Sequence, residues 1–249
     1  MSDRPRLAVL AVLAAAGAAA GAYFLWPSGR HVASCPPPHA PMPKEARRAL
    51  TAYAGRIRHT VERQVDGQRE ESWADTLTGR TREVVFRDGR AESALETIRG
   101  VRWMRSIWVL YDGHVWTSHR TRVPAGASIA FTAVDEAQAN RDNVAHGRAR
   151  IVGKSRVDGM QAVRLHEALA PPALGLDTWV DSNTYLTLRQ RFTAGGLAST
   201  TNEDWLPRTP ANVAKTRLVI PVGFKRPSDR ETVFTSGSRT IKLRSRRCA

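Results

Sequence analysis

Asp177-Thr178-Trp179-Val180-Asp181-Ser182-Asn183-Thr184-Tyr185-Leu186-Thr187-Leu188-Arg189 is the stretch whose reading decides the fold. A Trp on a strand is followed by Asp, two linker residues and Thr, so the strand ends in a turn capped by its own side chains and the chain reverses. The same phrase stands earlier, as Glu71-Ser72-Trp73-Ala74-Asp75-Thr76-Leu77-Thr78. Asp75, Thr78, Asp181 and Thr184 are therefore read as turn residues, each Asp supplying the acceptor that an Asx turn needs, and not as catalytic acids.

Working outward, the chain carries Asp-Gly at 66–67, 88–89, 112–113 and 158–159, each between plausible strands. Asp-Gly is the preferred filling of a two-residue type I′ hairpin turn. Upstream of the first, Ile57, His59 and Val61 alternate with Arg58, Thr60 and Glu62, the period of a half-buried strand. The pattern predicts antiparallel hairpins near 58–76, 80–98, 105–121, 149–167 and 177–193, with a last strand near 197–205. Ala46, Ala49, Leu50 and Tyr53 recur at helical spacing, with Pro43 suited to the first turn and Gly55 placed to end the helix. Residues 134–146 lack the strand period and predict a helix or a partly ordered excursion ended by Gly147, and Thr209-Pro210 opens a short helix. Ile220-Pro221-Val222-Gly223-Phe224 is expected to close the core. Successive hairpins with few helices fit one strongly curved antiparallel sheet, mainly β with a few helices, whose concave face an interrupting helix is free to cover.

The chain has 249 residues and a formal charge of +15. Of its 38 cations only Lys44, Lys154, Lys215, Lys225 and Lys242 are lysines, so the rest are arginines. With the many alanines this pattern reflects GC-rich coding, which raises the pI without selecting a nucleic-acid partner. Residues 7–26 (LAVLAVLAAAGAAAGAYFLW) carry no charge and, at about 1.5 Å per residue, can cross a hydrocarbon core of about 30 Å. Arg4 and Arg6 precede them, so residues 1–6 stay cytoplasmic and the chain beyond Trp26 is exported. The sequence leaves three outcomes open: an uncleaved single-pass anchor in the cell membrane, a signal peptide cut after Ala22 that yields a secreted protein, or a lipobox ending at Cys35 that yields a lipoprotein. Residues 27–43 are a Pro-rich linker, 44–226 the folded domain, and 227–249 a basic, disordered tail. Cys35 and Cys248 lie outside that domain, so no disulfide framework is implied.

Enzymatic signatures are absent from the sequence. There is no G-x-S-x-G elbow, no H-E-x-x-H and no Gly-rich phosphate loop. His114 and His119 differ by five positions, which on one strand places them on opposite faces and argues against a shared metal. Glu70-Glu71 and Glu203-Asp204 are neighbours on strands and likewise face opposite ways. No catalytic residue, metal site or cofactor is expected.

The phrase running from Trp179 to Arg189, preceded by Val157-Asp158-Gly159 and Ala162-Val163-Arg164-Leu165, resembles the LolA-like and RseB-like envelope proteins, and more narrowly their membrane-anchored actinobacterial versions. In that family a strand ending W-x-D-x-x-T turns into one that runs Y-L-P-x-R, and here Thr187 stands where the proline is usual. Trp205-Leu206-Pro207, Thr209-Pro210-Ala211-Asn212 and the run from Ile220 to Phe224 resemble the family's closing elements. The resemblance implies an incomplete β-barrel whose apolar concave face, partly lidded by helices, accepts acyl chains. Trp108, Leu110, Trp116, Val163, Leu165, Trp179, Leu186, Leu188 and Phe192 are the residues of this chain expected to line it. The implied function is a non-enzymatic, membrane-tethered carrier or sensor of a lipid or lipoprotein. The alternative is a regulatory protein that binds a membrane signalling partner such as an anti-sigma factor, without lipid cargo.

Overall fold

A computed structural model describes residues 38–100, 103–122, 132–169, 174–194 and 197–226. The expected membrane segment, Cys35, Cys248 and the basic tail lie outside these residues, and among the described residues no helix is long and apolar enough to cross a membrane.

Eleven strands form one antiparallel sheet that does not close: β1 (Ile57–Gln64), β2 (Arg69–Asp75), β3 (Arg80–Arg87), β4 (Arg90–Arg99), β5 (Trp103–Leu110), β6 (Val115–Arg122), β7 (Arg150–Val157), β8 (Met160–Leu169), β9 (Leu174–Asp181), β10 (Thr187–Ala194) and β11 (Leu197–Leu206). The spatial order is β6-β5-β4-β3-β2-β1-β11-β10-β9-β8-β7, so every hairpin pairs with its sequence neighbour and one long-range pairing, β1 with β11, joins the two halves. Each expected hairpin has its strands.

The turns divide. Asp88 (φ 51°) and Gly89 (φ 75°), like Asp158 (φ 49°) and Gly159 (φ 83°), fill two-residue turns in the left-handed region that type I′ requires. The other two Asp-Gly pairs sit in longer turns, a correction to the sequence reading. There the Asp side chain organises the loop: Asp66 Oδ1 accepts from the Gln68 N–H, and Asp112 Oδ1 from the Gly113 N–H.

Among the described residues three helices accompany the sheet: α1 (Lys44–Thr51), α2 (Ala133–Ala145) and α3 (Pro210–Lys215). Thr132 caps α2 through a capping box with Asp135, and Thr209 caps α3 with Pro210 at its first position. Residues directly paired across antiparallel strands point to the same side, so the registers assign every strand residue to one of two faces.

On one face, the α2 face, Leu50 of α1 and Ala133 and Ala137 of α2 pack on Leu186 and Trp205. Beside them Val144 of α2 meets Val163, Leu165 and Val180. The opposite face is crossed by residues 207–226, a C-terminal strap that continues from β11. Arg208 makes a two-nitrogen contact with Asp75, Lys215 Nζ sits 4.2 Å from the Trp73 ring centroid, and the Arg82 guanidinium donates to the Lys215 carbonyl. The strap ends on β6, where the Lys225 N–H donates to the His114 carbonyl and the Trp116 N–H to the Lys225 carbonyl. Ile57, Trp73, Val84, Ala94 and Val109 are all buried and share this strap face. Of the run expected to close the core, Phe224 packs edge-on against Tyr111, whereas Val222 is exposed.

Candidate binding face

The two turn aspartates have the acceptor geometry of Asx turns. Asp181 Oδ1 accepts from the N–H groups of Asn183 and Thr184 and from the Thr184 hydroxyl. Asp75 Oδ1 accepts from the Leu77 N–H, and the carboxylate is also held by Arg208. Burial works against its charge, but bonds from Arg208, Thr78 and the Leu77 N–H hold the Asp75 carboxyl below its ordinary range.

The residues expected to line a cavity fall on both faces. Trp108 and Leu110 pair with Leu95 and Ser93 of β4, and through β3 and β2 trace to the α2 face. Val163 and Leu165 pair with Val180 and Thr178, and Phe192 with Leu176, on that same face. Leu186 is buried beneath α2. Trp116, Trp179 and Leu188 point the other way. Trp116 pairs with the buried Val109, and Leu188 joins Val157, Ala162 and Trp179 in a separate cluster.

The bulge between Thr187 and Arg189 is the reason for Leu188, because the register shift puts it opposite in sense to Phe192 although their separation is even. Both Trp residues of the doubled phrase thus lie on the strap face, where Trp73 stacks on His59 with centroids 3.9 Å apart.

Along the α2 face the character changes from strand to strand. Over β8–β10 it is apolar and covered by α2, which Asn140 pins to the β9–β10 turn by donating to the Tyr185 carbonyl and the Thr187 hydroxyl. Next comes a buried charge network. Arg58 of β1 bonds to Glu203 of β11 and lies 3.8 Å from Glu136 of α2, with the two carboxylates only 3% and 8% exposed. Burial, followed by the charge of Glu136, pushes the Glu203 carboxyl up to about 8, although Arg58 pulls the other way. Trp205 Nε1 donates to Glu203 Oε1, as Trp73 Nε1 does to Glu71, so Glu-x-Trp pairs span two residues on one strand face.

Beyond this network β1, β2 and β3 bring Glu62, Glu70 and Glu83 to the same face, since Glu62 pairs with Glu70 and Ser72 with Glu83. Burial, then the charges of Glu83 and Glu62, push the Glu70 carboxyl up to about 7, and burial also raises Glu83. The grouping is invisible along the chain, because its members come together only through the register. Over β4–β6 the face sets Leu95 beside Trp108, which is 46% exposed, and a half-buried Leu110 among the hydroxyls of Ser93, Thr97, Ser106 and Thr117.

The described face offers no reactive constellation. His114 lies in the β5–β6 turn with φ 50°, while His119 is on β6 opposite Ser106, and among the described residues no group of three or more His, Cys, Asp or Glu is placed to hold a metal ion. What the face presents is an amphipathic surface: apolar side chains flanking a band of carboxyls and hydroxyls.

No known family profile matches the chain, and no curated protein matches it. Among solved structures it is similar to the Mycobacterium tuberculosis lipoprotein LppX, at 8% identity over 71% of this chain and 97% of that one, with a TM-score of 0.40. It is also similar to a chain of the Pseudomonas aeruginosa MucA/MucB complex, at 16% identity over 70% and 60% with a TM-score of 0.38. A third is a LolA-superfamily protein from Nitrosomonas europaea, at 10% identity over 68% and 96% with a TM-score of 0.26. At such identities and TM-scores the likeness carries no function to this chain.

Proposed function

We propose that this chain is a non-enzymatic, extracytoplasmic binding domain, tethered to the membrane by residues 7–26, whose α2 face receives the acyl part of a lipid or lipoprotein. One observation carries the reading. Trp108 stands 46% exposed beside Leu95 and Leu110 on the α2 face, while the apolar side chains that build the core are buried elsewhere, under α2 or on the strap face. A large apolar side chain that is not filling the core is available to a ligand. Each CH₂ removed from water contributes about 0.8 kcal/mol, so a dozen gain about 10 kcal/mol, enough to offset the cost of association. The carboxyl and hydroxyl band from Thr60 to Thr97 suits the polar end of the same ligand.

The experiment is purification of the full chain from a closely related host, organic extraction and mass spectrometry of the extract. A stoichiometric acyl-bearing species supports the carrier or sensor. Co-purification of a membrane signalling protein with no lipid supports the regulatory alternative and overturns the lipid reading.

A further inference from the structure

The sheet is open, so it has two edges, and they differ. At β6 the strap's Lys225 already occupies part of the outer side through its bonds to His114 and Trp116. At the other end β7 pairs with β8 alone, and among the described residues nothing hydrogen-bonds its outer side. Every residue from Arg150 to Arg156 is exposed, including Ile151 at 52% and Val152 at 42%.

The backbone groups that face outward can be named. In a two-residue hairpin the residues flanking the turn, here Val157 and Met160, form a hydrogen-bonded pair, and such pairs alternate along the ladder. Lys154 and Arg156 therefore aim their N–H and C=O groups away from β8. Their side chains are cationic, and residues 148–157 (RARIVGKSRV) hold Arg148, Arg150, Lys154 and Arg156 with no acidic residue.

We propose that β7 is a docking edge for an extended acidic peptide segment of a partner protein, which adds to the sheet as a twelfth strand and places carboxylates against Lys154 and Arg156. Exposed edges are ordinarily protected by bulges and lysines, and β7 has both, the bulge falling between Ile151 and Gly153. Those devices repel a neutral or basic strand, whereas an acidic one converts each repulsion into an attraction. The same charges disfavour a second copy of β7 and this chain's own tail, which is basic as well. The stretch from Gly153 to Val157 is regular, and main-chain bonds supply affinity while charge supplies selection. This edge is separate from the acyl-binding reading of the α2 face and does not depend on it.

The test is fluorescence anisotropy of the full chain with a labelled eight-residue peptide alternating Val and Glu, against a Val/Lys counterpart and a Val/Glu peptide interrupted by two prolines. The Val/Glu peptide is expected to bind, the other two are not, and the Lys154 and Arg156 amides should exchange more slowly in the complex. Lys154→Pro removes an outward N–H without touching the β7–β8 ladder and should weaken binding at least tenfold. The double variant Lys154→Glu/Arg156→Glu should switch preference to the Val/Lys peptide, a gain that an unfolded variant does not show. Equal binding of the proline-interrupted peptide, indifference to Lys154→Pro, or displacement of the peptide by phosphatidylglycerol vesicles would each overturn the proposal.

Discussion

Asp181 ends β9 and Glu203 lies within β11, and the structure gives the two carboxyls opposite tasks. Asp181 gathers three donors within its own turn, so Asp181→Ala should lower stability by about 1–3 kcal/mol and leave ligand content per folded molecule unchanged. Urea unfolding alongside extraction checks both halves, and ligand loss at unchanged stability would contradict the turn role. Glu203 is buried with its carboxyl raised to about 8, so the folded state holds its proton more tightly than the unfolded chain does. That contribution to stability is complete below the ordinary carboxylate value of 4.5 and is lost as pH rises through about 8. Between pH 5 and 8.5 the wild type should lose at least about 1.4 kcal/mol more than Glu203→Gln, the worth of one pKa unit. Other shifted groups, Glu70 and Asp75 among them, are common to both proteins and cancel in the difference. Parallel pH profiles from denaturant titrations would show that Glu203 is not the proton holder.

At the scale of the element, β5 holds the sharpest contrast. Trp108 and Val109 are neighbours on opposite faces, the first 46% exposed and the second fully buried under the strap side of the sheet. Val109→Ala should cost about 2 kcal/mol in thermal or chemical unfolding, and Trp108→Ala less than about 1 kcal/mol. A reversed order would mean that the face assignment is wrong. Strand positions were legible from the alternation about Ile57, His59 and Val61 and from the Asp-Gly turns, because period two and turn chemistry are local. Which side chains each strand turns toward α2 was not legible. Leu186, Leu188 and Phe192 share parity along the chain, and only the bulge at Thr187/Arg189 separates Leu188 from Phe192. The carboxyls Glu62, Glu70 and Glu83 come together through hairpin register, which no single strand records.

For the whole molecule, the two halves of the sheet are built by different means. The β7–β11 half buries apolar side chains on both faces, under α1 and α2 on one and in the cluster of Val157, Ala162 and Leu188 on the other, while the β1–β6 half buries them on the strap face and leaves its α2 face amphipathic. The doubled Trp-x-Asp-x-x-Thr phrase marks scaffold in both halves, since Trp73 and Trp179 stand on the strap face. The surface proposed to receive a ligand is carried by side chains with no motif at all, Leu95, Trp108 and Leu110.

The central claim is that acyl chains bind the α2 face, and its tryptophans report directly, because Trp108 lies there while Trp73, Trp116 and Trp179 lie on the strap face. The decisive measurement is the indole N–H spectrum of the full chain titrated with stearate carrying a doxyl spin label near its methyl end. Selective broadening of the Trp108 resonance, with those of Trp73, Trp116 and Trp179 left sharp, is the predicted result. Broadening of the strap-face indoles with Trp108 unaffected, or no broadening at all, would contradict it.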